Sequence, residues 1–425
     1  MRQFISTIPL FDANMVVHAY RMVTHDGDKL LGAAEDFREL GSDLQAHALE
    51  IIKQVGTEPF AGQSNLFVDL SLYQLLMELP LTMKIPTEYL VLIVNKSVLE
   101  DNASHAKLMK MKRSGYSMAI EGYPRAISIE TALKVFDFII LDSNEQGFQN
   151  DFKDIRPHIF NTTLVISGVP DMYNFNKYSG ARGVLLSGSF YSQPLTKGVS
   201  EISPLKVNAL SLIKQINEDD VDLQATASTI ERDPALTISL LRFINAMNPN
   251  RSRRITSIRN AVAILGQNEV KRWATVAISM SMGEDRPNEL TRLSLIRAKF
   301  AENLAPSFEM AMLTGLLFIS GLFSLLDLIL QRPMEEAIEE VAADDEIKDA
   351  LVNKRGRIYE VLSLIFAYDK ADWHDASIIM VRNNIDIEDI SKAYLDSIVW
   401  YRQLLDSIDL DDEEEFTDED GEVEE

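Results

Sequence analysis

The sequence predicts an α/β plus all-α chain, a trimmed TIM-like (β/α) barrel followed by an all-helical domain. Three observations carry this. Short β-rich runs alternate with helical stretches through the first half. Several of those runs, such as Phe138-Ile-Ile-Leu141, are continuously apolar, as strands covered on both faces are. From Pro204 onward, apolar residues recur at helical spacing and no strand pattern appears.

Taken in order, strands are expected over 16–23, 66–70, 89–94, 117–121, 136–141, 163–167 and 183–186. Helical patterns lie between them, for example over 44–55 and over 99–113, the latter ended by Gly115. Roughly 195 residues is short for a (β/α)₈ barrel, which takes about 250, so some outer helices are expected to be trimmed or absent. The pattern changes around Gln193-Pro-Leu-Thr-Lys-Gly198. Beyond it, Leu205, Leu212, Ile213 and Ile216 mark one amphipathic face and Leu223, Ala227 and Ile230 another. Asp233-Pro234 reads as a helix start, aspartate at the N-cap and proline in the first turn. The expected organisation is a barrel over 1–198, a helical domain over 199–408 and a disordered acidic tail over 409–425.

Composition bounds the function classes. Much of the net charge of −24 is local to the run from Asp409 to Glu425, which is nearly all acidic and lacks apolar periodicity. That run reads as a solubilising tail or as an electrostatic lure for a basic partner. A chain this acidic is a poor general binder of nucleic acid. There are no cysteines, which excludes disulfides and thiolate metal sites and fits a reducing cytoplasm. The first residues lack the apolar core and small-residue cleavage site of a signal peptide. The segment from Met310 to Asp327 is apolar and just long enough to span a bilayer. It has no aromatic belt, and Gly315, Ser320 and Gly321 suit a helix pressed against other helices, so a buried core helix is expected. The basic run Arg251-Ser-Arg-Arg254, with Arg259, Lys271 and Arg272 nearby, is read as internal pairing or as a dock for an acidic partner, including the chain's own tail. With no aromatic beyond Trp273, it gives little support to base stacking.

The order of motifs over roughly the first 195 residues resembles the EAL domain, the cyclic-di-GMP phosphodiesterase family. Tyr20-Arg21-Met22-Val23 aligns with the strand in which that family carries a metal-ligating glutamate, and Arg21 takes the glutamate's place. A hard divalent cation needs oxygen ligands, and a guanidinium offers no lone pair. Phe67-Val68-Asp69-Leu70-Ser71 puts Asp69 where the family has asparagine, and Leu92-Ile93-Val94-Asn95 puts Asn95 near a glutamate position. The family's paired aspartates correspond to Glu121-Gly122, and its lysine–x–aspartate run to Ile140-Leu141-Asp142. Ile166-Ser167-Gly168-Val169-Pro170 lacks two glutamates, while Gly188, Ser192 and Pro194 of the closing motif persist.

The second half resembles the HDOD domain, a relative of HD phosphohydrolases without their metal ligands. The resemblance rests on the runs 227–245, 255–266, 270–273 and 315–324. His374 is the one histidine of this half, and His374-Asp375 reads as a surface or capping pair. Together the halves resemble the EAL–HDOD (YuxH-like) bacterial signalling proteins. The resemblance implies a non-enzymatic protein without catalytic residues, metal or cofactor, which meets other signalling proteins in control of motility, attachment or biofilm. The alternative it leaves open is a cyclic-di-GMP receptor, with Arg21, Asp69, Glu121 and Asp142 as the remnant of the pocket.

Overall fold

Alternation along each strand builds a closed barrel in the order β1 to β8. The strands are β1 (Gln3–Phe11), β2 (Val17–Asp26), β3 (Asn65–Asp69), β4 (Leu90–Asn95), β5 (Ser117–Glu121), β6 (Phe138–Asp142), β7 (Thr163–Val169) and β8 (Val184–Gly188). β2 to β8 run parallel, whereas β1 is antiparallel to both β2 and β8. The sequence reading missed β1. Pro9 interrupts its apolar run, and a proline lacks the ladder donor expected of a strand residue. The other strands stand within about two residues of the expected positions, except that β2 runs on to Asp26.

Side chains of one parity turn inward. Leu10, Ala19, Phe67, Val91, Ile93, Ala119, Ile140 and Val165 fill the barrel interior, with Phe138 set edge-on to Phe67 at 4.8 Å between ring centroids. The other parity meets the outer helices. Asn102–Arg113, Ile129–Val135, Phe148–Ile155 and Met172–Ser179 follow β4 to β7 in turn, and the last three hold only seven or eight residues. These are the trimmed helices the short barrel implies. Ser128 and Asp171 cap two of them by accepting hydrogen bonds from Thr131 N–H and Asn174 N–H at 3.3 and 2.8 Å.

The structure is a computed structural model that describes residues 3–26, 46–100, 102–159, 162–193, 223–231, 257–282, 288–341 and 343–414, with isolated positions between 236 and 255. The helix start at Asp233-Pro234, the basic run from Arg251 to Arg254 and the tail beyond Glu414 lie outside the described residues. The chain divides into two compact units, 1–193 with 366–391, and 194–365 with 392–425.

The first division departs from the expected boundaries, because 366–391 joins the barrel unit. β1 pairs with β8 only at Phe11↔Leu186, leaving the rest of that edge without a neighbouring strand. Tyr368 and Trp373 cover it. The Tyr368 hydroxyl accepts Ile5 N–H at 2.9 Å, and Trp373 stacks on Phe4 at 4.9 Å and on His25 at 5.9 Å. His374 is exposed beside them, as the sequence suggested.

The second unit is helical in its described residues. Asn288–Leu304 packs against Thr314–Phe323, and Ser294 Oγ donates to Leu322 O at 2.6 Å. The apolar segment after Met310 breaks into Thr314–Phe323 and Leu326–Leu330, both largely buried, although Met312 is exposed. No helix among the described residues is long and apolar enough to cross a membrane. Arg272 donates to Glu302 at 2.7 Å and lies 4.4 Å over the Phe318 ring, while Arg259 pairs with Glu231 at 3.5 Å and Trp273 is buried. These two arginines follow the internal-pairing reading. The last helix, Ile387–Glu414, continues past residue 409, where the disordered tail was expected to start.

Candidate functional site

The inward parity that fills the barrel also furnishes its mouth. One step of two residues beyond Ala19, Phe67, Ile93, Ala119, Ile140, Val165 and Leu185 brings Arg21, Asp69, Asn95, Glu121, Asp142, Ser167 and Ser187 to the C-terminal side of the barrel. The pairing Asn95↔Glu121 fixes the register of Asn95 that the motif comparison left loose. The C-terminal ends of parallel strands are where barrels of this architecture carry their sites.

Arg21 joins three of these positions. Its Nη2 donates to Asp69 Oδ1 at 2.6 Å and its Nη1 to Glu121 Oε1 at 2.7 Å. The Arg21 and Asp69 side chains are about one-fifth exposed and Glu121 about two-fifths. Burial opposes the charge on Arg21, but the two carboxylates outweigh it and raise its pKa above the ordinary arginine value. Burial is also the largest influence on Asp69. It pushes that carboxyl above its usual range, with the Glu121 charge adding and Arg21 opposing.

Asp142 is not brought to Arg21. Its carboxylate turns to Asn144, accepting the backbone N–H at 2.9 Å and the side-chain amide at 3.1 Å. Asn95 likewise accepts Ser97 N–H at 3.1 Å. Gly122, at φ +89, admits the stem of Lys96, whose Cδ would stand 2.7 Å from a Cβ at that position. The Lys96 ammonium pairs with Glu145 at 3.1 Å. Lys96 is a mouth cation the motif comparison missed, and its signal was the glycine that replaced a bulkier residue opposite it.

Beneath the ion cluster lies a cavity of about 350 Å³. Arg21 and Asp69 are the charged groups in its wall, Ser167 and Ser187 add hydroxyls, and Ile8, Leu10 and Ile140 make much of the rest. Ile8 and Leu10 come from β1, so they were out of reach of the sequence reading.

The residues here do not fit a divalent cation. A guanidinium bridges the two carboxylates that would have to share it, and among the described residues no three His, Asp or Glu side chains gather to hold a metal.

Comparison with known proteins gives the following similarities. An HDOD domain model matches residues 202–356. The protein named cyclic di-GMP phosphodiesterase CdgJ, from Vibrio cholerae, is 24% identical over 94% of this chain and 93% of its own length. The uncharacterized protein YuxH of Bacillus subtilis is 24% identical over 96% of this chain and 100% of its own. Among solved structures, the FimX EAL domain from Pseudomonas aeruginosa bound to c-di-GMP covers 45% of this chain and 90% of its own, with 14% identity and a TM-score of 0.34.

One expectation is overturned. The altered motifs implied a chain without enzymatic activity, yet a relative aligned almost end to end carries the name of a phosphodiesterase. The expectation equated the loss of one family's cation ligands with the loss of catalysis, although Asp69, Glu121 and Asp142 leave acid–base groups on the mouth side of the barrel. The HDOD model covers the helical half, and the eight-stranded barrel that precedes it carries the order of motifs that resembles the EAL domain.

Proposed function

We propose that this chain acts in cyclic-di-GMP signalling and engages cyclic di-GMP at the mouth of its barrel. The observation that carries the reading is Arg21, a charged guanidinium in the wall of a cavity at the C-terminal side of the strands. A phosphodiester presents the same paired oxygens that Asp69 and Glu121 now present, so the guanidinium can exchange a carboxylate for a phosphate with its donors already spread. Lys96 adds a second cation on the mouth side.

The name of CdgJ brings phosphodiester hydrolysis to the same mouth as the activity to measure. Glu121 is the best-placed group for moving a proton there, since it is the more exposed of the two carboxylates bound to Arg21. In this reading the helical half passes the state of the barrel to other signalling proteins.

Calorimetric titration of the full chain with cyclic di-GMP, followed by chromatography of the same mixture for linear product, tests the proposal. Saturation at one nucleotide per chain, with or without product, is the expected result. No saturation and no product would overturn it.

A further inference from the structure

We infer that the opposite, N-terminal end of the barrel carries a second site, for a small organic anion with a flat apolar body and one phosphate or carboxylate end. The cavity there measures about 560 Å³, larger than the one at the mouth and within the range that small-molecule sites occupy. Its apolar wall is the underside of the barrel, where Ala19, Phe138 and Leu185 begin their strands. Its polar wall holds Asp12, His18 and Arg182.

The turn from β1 to β2 builds one side of this site. Asp12 N–H donates to Val16 O at 2.9 Å, Met15 N–H to Asp12 O at 3.1 Å, and Met15 takes the left-handed conformation at φ +62. The Asp12 carboxylate accepts Asn14 N–H and Val16 N–H on one oxygen, at 2.8 and 2.9 Å, and meets His18 Nε2 at 3.1 Å through the other. Burial would raise the Asp12 pKa, but these donors outweigh it and hold the carboxyl below its ordinary value. Through that contact Asp12 holds the His18 ring at the edge of the cavity. The turn and His18 between them absorb the charge of Asp12.

Arg182 supplies the anion-binding group. It is exposed on the loop between Met172–Ser179 and β8, and among the described residues it has no ion-pair partner. Asp12 lines the same cavity, but its oxygens are taken by the turn and by His18, so the Arg182 guanidinium remains a fork for two oxygens of a ligand. The apolar wall opposite gives the body of that ligand a surface to lie on, which bare inorganic phosphate cannot use.

The test titrates the full chain with guanosine monophosphate, with benzoate and with inorganic phosphate, each alone, by ligand-observed NMR. Arg182→Ala and His18→Ala replace exposed side chains, and Arg21→Ala reports the mouth. Saturable binding of either organic anion, weakened at least tenfold by Arg182→Ala and unchanged by Arg21→Ala, is expected. Which of the two binds tells phosphate from carboxylate. The inference is overturned if neither saturates, if Arg182→Ala binds as the natural chain does, if Arg21→Ala abolishes the binding, or if inorganic phosphate binds as tightly as the organic anions.

Discussion

Replacing Arg21 with methionine keeps much of its volume and removes its charge. Asp69 and Glu121 are then left facing one another across the space their common partner filled. Two charge-assisted hydrogen bonds go, of 2.6 and 2.7 Å. Breaking a fully buried pair costs about 3–5 kcal/mol. Solvent reaches one-fifth of Asp69 and two-fifths of Glu121, so screening lowers the expected cost to about 2–3 kcal/mol. For a unit of this size that corresponds to a fall in Tm of about 4–12 °C. Thermal unfolding followed by circular dichroism at neutral pH measures it. Adding Glu121→Gln to Arg21→Met removes one of the two facing charges and should recover about half the loss. If Arg21→Met melts within about 1 °C of the natural chain, the ion cluster contributes nothing and the reasoning fails.

Other perturbations follow from the same geometry. Asp69 has a raised pKa in the folded chain, so its contribution is full below the ordinary value of 3.8 and is lost as pH rises through the folded value. Stability of the natural chain relative to Asp69→Asn should therefore fall as pH rises above 3.8, and a difference growing the other way would contradict the shift. Gly321→Ala would put a Cβ 2.5 Å from Arg297 O and 2.7 Å from Ala298 Cα, which should destabilise the helical unit by about 1–3 kcal/mol in urea unfolding. Gly315→Ala meets nothing within 4 Å and should cost nothing; equal effects at the two glycines would refute the close approach. Trp373→Ala removes the ring stacked on Phe4 and should cost the barrel unit about 2–3 kcal/mol, whereas an unchanged urea midpoint would mean that 366–391 does not brace β1.

The barrel was legible because its parallel strands announce themselves. Continuous apolar runs such as Phe138–Leu141 have few alternatives, and the helices between them are closed by residues with plain local chemistry, such as Gly115 at φ +96. β1 was not legible, since Pro9 breaks its run and its pairing is with the strand that follows and the strand that closes the ring. Its loss hid Ile8 and Leu10, two apolar residues of one cavity wall. The membership of 366–391 was hidden for a different reason. Helical periodicity says which face is apolar but not which surface will cover it, and here that surface is an edge strand more than 340 positions away in sequence.

The candidate site was half legible. The EAL-like motifs singled out Arg21, Asp69 and Glu121, and the shared parity of their strands brings them to one side of the sheet, where opposite charge pairs them. Asp142 shares the same parity, but local capping by Asn144 takes its carboxylate, a contest that spacing along the chain does not reveal. Lys96 was missed because its place depends on the glycine opposite it in the next strand's loop.

The account turns on whether cyclic di-GMP binds at the mouth through Arg21. Calorimetric titration of the natural chain beside Arg21→Ala and Arg182→Ala tests that most directly. The account predicts saturable binding that weakens at least tenfold in Arg21→Ala and is unchanged in Arg182→Ala. Binding that survives Arg21→Ala at full strength, or that is absent from the natural chain, would contradict it.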